Sequence, residues 1–242
     1  MDWWTTEFSP FGLTHALAAS IGSLIVAAWV VLGLKLRGTT GESKVRAFGA
    51  GAILTHQVLM QIYWLAPQNF DWKGSLPLHV CDIGAWLTPL SLLAPWRRLR
   101  IIIIFWGLGL TTQAFITPTV TGSPADMQFW FYWLSHLAII AGAVYHLAVD
   151  RIRPTFAEAW FAVIATLGYI LCIAAVNYFM NWTYAFVGPS DPASNTKTLA
   201  DKLGPYPLRI LWIILTGTGV FIVIWAGIRW LGGTESRTRP GR

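Results

Sequence analysis

The sequence predicts an all-α fold: a polytopic membrane bundle of seven transmembrane helices, with the N-terminus outside and the C-terminus cytoplasmic. Composition is the first reason. The 242 residues are 55% hydrophobic and 12% charged, with 15 Trp, whereas a soluble domain carries about 25% charged residues. Segment length is the second. Seven apolar stretches, at about 13–36, 46–66, 76–95, 99–118, 128–149, 157–180 and 207–231, reach the roughly 20 residues that cross a bilayer. Charge bias is the third. Thirteen of the 17 basic residues (Lys35, Arg37, Lys44, Arg46, Arg97, Arg98, Arg100, Arg151, Arg153, Arg229, Arg237, Arg239 and Arg242) fall on one side of such a bundle. The positive-inside rule makes that side cytoplasmic.

Each element has its own signal. The first stretch, from Leu13, is too long for a signal-peptide core and has only Asp2 and Glu7 as charges ahead of it, so it reads as a helix. The second carries His56, Gln57 and Gln61. The third opens with Ser75 as a plausible N-cap and Pro77 in the first turn, where its missing N–H costs nothing. The fourth ends near Gln113 and Thr117, the fifth holds His136, and the sixth holds Cys172, read as a small core residue, with Asn177 and Asn181 at its end. The connection at about 181–206 is polar and Pro-rich, with no periodic segment of its own. Residues 1–231 form one transmembrane domain, and 232–242 a basic, disordered cytoplasmic tail. Trp3, Trp4, Trp64, Trp72, Trp130, Trp133 and Trp182 suit an outer aromatic belt.

The net charge of +6 resides in short flanks beside helices. It points to lipid headgroups and excludes nucleic acid as a partner. The expected location is the cell inner (plasma) membrane, multi-pass, with membrane lipids as partners. The oligomeric state is left open, and no cofactor is implied.

Ionisable groups at membrane depth cost several kcal/mol, so their presence marks a candidate site. The run Leu76-Pro77-Leu78-His79-Val80-Cys81-Asp82 places an imidazole, a thiol and a carboxylate within four residues. At about 1.5 Å per residue, Cys81, Asp82 and Gln113 lie about 8 Å inside the outer helix ends, and His136 about 12 Å. His15, His56, Asn177 and Asn181 add polar groups in the same outer half, while the inner half offers little beyond His146 and Glu158. One polar cavity opening outward follows. Each Asn, Gln or lone His can equally be interhelical glue.

A thiol near a positioned imidazole suits nucleophilic acyl transfer, with Cys81 attacking a carbonyl and a thioester forming. His136, or else His79, is the candidate base. In a regular helix His79 and Asp82 share a face, so Asp82 is expected to orient His79. Gln113 and Asn177 are candidate oxyanion or substrate donors, with Asn181, His56 and His15 as further substrate-binding candidates. At this depth the target is an ester bond of a phospholipid, an acyl-lipid substrate. The same His79, Cys81, Asp82 and His136 are ordinary zinc ligands, but their spacing is no zinc motif and no metal is assigned. A non-catalytic protein that binds or transports a lipid or small amphiphile is the alternative. Retinal chemistry is excluded because the last stretch has no Lys for a Schiff base.

These residues resemble a known family. The Leu-Pro-Leu-His-x-Cys element at 76–81 is its hallmark. His15, Trp106-Gly107-Leu108, Gln113, Thr117-Pro118, His136, Asn177-Tyr178, Tyr184-Ala185-Phe186 and Leu203-Gly204-Pro205-Tyr206-Pro207 extend the match over most of the chain. The chain resembles the YwaF-like integral membrane proteins of bacteria, similar in turn to a eukaryotic TMEM-type ether-phospholipid acyltransferase acting through a cysteine. The resemblance implies that this cysteine is Cys81, with His79 and His136 as its histidines. The chain departs from the family at Gly188-Pro189-Ser190-Asp191-Pro192, where a Lys-Pro is expected and Lys197 is the candidate substitute, and at Arg209, where an aromatic is expected.

Overall fold

A computed structural model describes residues 4–189 and 202–237, and among these every regular element is helical. In chain order they are α1 (Leu13–Lys35), α2 (Thr40–Leu65), α3 (Val80–Leu93), α4 (Arg97–Phe105), α5 (Gln113–Ile116), α6 (Met127–Ala148), α7 (Phe156–Met180) and α8 (Leu208–Arg237). A π-helical stretch, Trp106–Thr111, joins α4 to α5, and a 3-10 turn, Tyr184–Phe186, follows α7. Trp3, Ser190, Asp191, Pro192, Lys197, Arg239 and Arg242 lie outside the described residues.

Five helical runs among the described residues are long and apolar enough to cross a membrane: Leu13–Lys35, Arg97–Ile116, Met127–Ala148, Phe156–Met180 and Leu208–Leu231. Their flanks expose Leu24, Ile25, Ile164, Leu171, Leu215 and Val223, a pattern that suits lipid and not water. With 14 residues α3 is short for a span, and α2 is diluted by Glu42, Lys44, Arg46, His56, Gln57 and Gln61.

Several boundaries differ from the sequence expectation. The third helix begins at Val80, with His79 as the N-cap in extended geometry, so Pro77 and Ser75 belong to the preceding loop. Ser75 is buried there, its Oγ accepting from Asp71 N at 2.9 Å. The fourth stretch is not one α-helix: Gly107 and Gly109 sit in its π-helical middle, a form that recurs at functional sites. The 181–206 connection contains the 3-10 turn. The backbone of α8 runs on to Arg237, past the Gly232 where a disordered tail was expected. Asn181 ends α7 in the left-handed region, φ 54°, which Asn tolerates better than most residues.

The centre of the bundle is α6, which packs on α1, α2, α3, α4 and the π stretch. Small residues permit this. A Cβ on Gly142 would lie 2.6 Å from Thr88 Cγ2 on α3. One on Gly107 would lie 2.7 Å from Ala143 Cβ and 2.8 Å from Ile139 O on α6. Such close backbone approach is how helices associate where lipid removes the hydrophobic drive between them.

The end of the bundle opposite Cys81 is not poor in polar groups, as the sequence suggested. Asp150, just past α6, accepts from Arg46 Nη2 at 2.5 Å and pairs with His146 Nδ1 at 2.8 Å, with Arg100 Nη1 at 3.5 Å. Arg46 also binds Glu42, which takes the Tyr145 hydroxyl at 2.5 Å, and His146 Nε2 meets Ser91 Oγ at 2.9 Å. One network thus ties α2, α3, α4 and α6. The sequence hides it because its members read as separate basic and acidic flanks. Burial alone would raise the Asp150 carboxyl, but the His146 and Arg46 hydrogen bonds outweigh it and hold it at about 2.

Two predictions follow from this packing. Gly142→Leu is expected to lower stability by about 1–3 kcal/mol through overpacking against Thr88, whereas Gly51→Ala, inside α2 with nothing within 4 Å of its Cβ, should raise it by about 0.5–1 kcal/mol; thermal melts in detergent compare them. The Asp150 contribution is fully present above its unfolded value of about 3.9 and is lost as pH falls toward about 2. Asp150→Asn therefore costs on the order of 3 kcal/mol at pH 7, and the gap to wild type narrows in melts at pH 3.

Candidate functional site

The Leu-Pro-Leu-His segment is held in place from three directions. Gln61 Nε2 donates to Ser75 O at 3.0 Å from α2. From α7, Tyr169 donates to Leu78 O at 2.7 Å. The third hold is Tyr184, fully buried, whose hydroxyl donates to Trp72 O at 2.9 Å and accepts from Leu76 N at 3.3 Å. Asn177 fixes Tyr184 in turn: its Nδ2 donates to Tyr184 O at 2.8 Å, and its Oδ1 accepts from Tyr184 N at 3.0 Å. Both ends of the Asn177 amide are committed to that clamp.

His79 caps α3, and Asp82 Oδ2 accepts its backbone N–H at 3.0 Å. Asp82 therefore holds His79 through the main chain, and not by pairing with the ring as helical spacing suggested. The reason is the non-helical geometry of His79, which turns its N–H to the first turn of α3. Cys81, the second residue of α3, is half-buried. The hydroxyls of Tyr132 and Tyr169 lie within electrostatic reach of its sulfur, and the His79 and His136 rings within reach of each other.

Hydrogen-bond partners assign the two imidazoles opposite forms. His136 Nδ1 lies 2.6 Å from Tyr132 O. A carbonyl only accepts, so Nδ1 carries the hydrogen and Nε2 of the neutral ring holds a lone pair. His79 Nδ1 accepts from Ala185 N at 3.3 Å, so its ring hydrogen lies on Nε2. One histidine is fit to accept a proton and the other to donate a hydrogen bond. Tyr132 stacks on His136 with centroids 4.4 Å apart.

Beside this motif lies a cavity of about 400 Å³ between the start of α3, the π stretch, α7 and α8. It touches the motif at Val80, Tyr169 and Ala185, and Gln113 is on its wall. Among the described residues, no group of three or more His, Cys, Asp or Glu side chains has the arrangement to hold a metal.

Other candidates are placed elsewhere. His15 is buried with both nitrogens engaged: Nδ1 accepts from Phe11 N at 2.9 Å and Nε2 donates to Phe115 O at 2.8 Å. It ties α1 to α5 among Phe8, Phe11 and Trp133. Trp133 is accordingly buried, not part of an interfacial belt. His56 packs on Phe131 and bonds Gln57, which reaches Ser135 at 3.2 Å. Asn181 is exposed at the end of α7, and Cys172 is exposed as well, not a core residue. The sequence reading gave no role to Tyr132, Tyr169 or Tyr184, although Tyr184 stands in one of the segments that carry the resemblance. Tyrosine near helix ends is common in membrane proteins, so only their contacts distinguish them.

A family model described as "TMEM164 family" matches residues 10–226. Comparison with curated proteins and with solved structures yields no match.

The clamp makes a prediction. Asn177→Ala removes two buried hydrogen bonds and should cost about 2 kcal/mol. It should also speed maleimide labelling of Cys81 in a Cys172→Ser background, because the turn that carries Ala185 to His79 loosens. Equal labelling rates would mean that the clamp does not shield the thiol.

Proposed function

The chain belongs to the TMEM164 family of membrane proteins, and on that premise we propose that it is a cysteine-dependent lipid acyltransferase, or a related thioester-forming hydrolase. The observation that carries the reading is the pair of imidazoles in opposite forms, one of them two residues before a half-buried thiol. Cys81 gives its proton to His136 Nε2, and the thiolate attacks the ester carbonyl of a membrane lipid. His79 Nε2–H and the N–H groups at the start of α3 receive the developing oxyanion. The tetrahedral adduct collapses, the leaving alkoxide takes the proton from His136, and a thioester remains on Cys81. A second lipid hydroxyl, or water, gives its proton to His136 and attacks the thioester, which releases the acyl group and returns the thiol.

Asp82 sets the position of His79, and Gln113 faces the substrate from the cavity wall. Asn177 acts one step back, by holding Tyr184. In this reading all seven long helical runs, α2 and α3 included, span the plasma membrane with the N-terminus outside, so the motif lies at the outer headgroup boundary. The cavity supports a second reading, a non-catalytic carrier or receptor for a lipid or small amphiphile.

Intact-protein mass spectrometry after incubation with membrane lipids separates the two. A fatty-acyl mass on the wild type, released by neutral hydroxylamine and absent from Cys81→Ala, is expected for acyl transfer. His136→Gln should slow its appearance about 10²–10⁴-fold. Lipid that co-purifies equally with wild type and Cys81→Ala, with no covalent adduct on either, would favour the carrier.

A further inference from the structure

We infer that the cavity between α7, α8 and the π stretch is a slot for one fatty acyl chain, drawn from the bilayer, with its carbonyl end at Val80 and Tyr169 and its tail toward Phe221. The inference deepens the acyl-transfer reading and rests on it only for which end of the chain is reactive.

The wall selects an apolar occupant. Most of the wall is hydrocarbon; of its polar side chains, Thr166 accepts from Trp106 Nε1 at 2.8 Å and donates to Ala162 O at 2.8 Å, the Tyr169 hydroxyl is bonded to Leu78 O, and Gln113, Lys202, Thr216 and Thr218 complete the set. Among the described residues, His56, Gln57, Trp86, Trp133 and Trp225 hold buried polar atoms without a partner, and none of these residues is on this wall. A wholly polar ligand would cover this hydrocarbon with groups that find no partner there, a cost that an acyl chain avoids, while Gln113 and Lys202 can meet the polar end of a lipid.

The surroundings say where the chain comes from. The two helices that bound the slot expose Ile164, Leu171, Leu211, Leu215 and Val223, so the medium outside is lipid. From Ile213 to Phe221 the α8 wall runs about 12 Å at 1.5 Å per residue. Val80 follows the cap of α3 and Ala185 donates to His79, so the motif end is the reactive end. Phe221, almost fully buried, lies eight residues beyond Ile213 on α8 and belongs to a core cluster with Ile104 and Phe105.

Two glycines set the size of the slot. A Cβ on Gly109 would meet Phe221 at 2.9 Å, so that side is already full. A Cβ on Gly217 would find only Leu110 Cδ2, at 4.0 Å. A side chain at 217 therefore projects into free volume without displacing a neighbour, and should shorten the chain the slot accepts.

The test uses a lysophospholipid with a 16-carbon diazirine-bearing chain and one with an 8-carbon chain, photolysed with purified protein in the Cys81→Ala background. The 16-carbon probe should crosslink to peptides containing 163–170 and 213–221. Gly217→Leu should cut that labelling about tenfold, the equivalent of losing about two buried methylenes, while the 8-carbon probe is spared and the melting temperature holds. Gly217→Ala serves as a smaller step with a smaller effect. Labelling confined to other helices, or equal labelling of wild type and Gly217→Leu by the long probe, would overturn the slot. Failure to find a thioester on Cys81 in the wild type would bear on acyl transfer alone, because this labelling does not pass through the thiol.

Discussion

Close backbone contact between α6 and its neighbours is the constraint on which the rest of the structure depends. His136 is on α6 and Cys81 is on α3, and they share a region only because Gly142 meets Thr88 and Gly84 meets Ile139 across that pair of helices. Gly107 brings the π stretch to α6 in the same way, which places Gln113 on the cavity wall. In lipid, apolar surface gains little by leaving one apolar neighbour for another, so packing at small residues has to supply the specificity.

The two ends of the bundle use polar groups differently. At one end, Asp150 gathers Arg46, Arg100 and His146 into a closed network in which each charge has a partner. At the other, polar groups fasten backbone: Asn177 to Tyr184, Tyr169 to Leu78, Asp82 to His79. Those bonds consume the side chains nearest the motif and leave one nitrogen on each imidazole without a hydrogen bond among the described residues. In the proposed reaction, preorganisation of this kind removes the cost of ordering the reacting groups.

The backbone bonds also explain how a three-residue signature can specify a site. His79 sits outside the helix, and Cys81 is in its first turn. Helical spacing therefore does not govern the relation between them, and the argument that separates residues two apart on a helix does not apply at a cap. Its ring is aimed by Ala185, more than a hundred residues away.

The sequence by itself determined the all-helical class and the places of the long apolar helices to within a few residues, and it singled out the segment that carries the candidate thiol. These depend on composition and run length, which are local properties. The break of the fourth stretch into a π-helix, the start of α3 at Val80 and the exposure of Cys172 depended on which neighbours each helix met. Tertiary structure alone decided which of the polar residues keep an unbonded group. His15, His136 and His79 look alike along the chain, and only their hydrogen-bond partners show the first with both nitrogens engaged, the second with a free lone pair and the third with a free N–H. The ion network around Asp150 was hidden for the same reason: charges read as separate flanks become one cluster only after four helices converge.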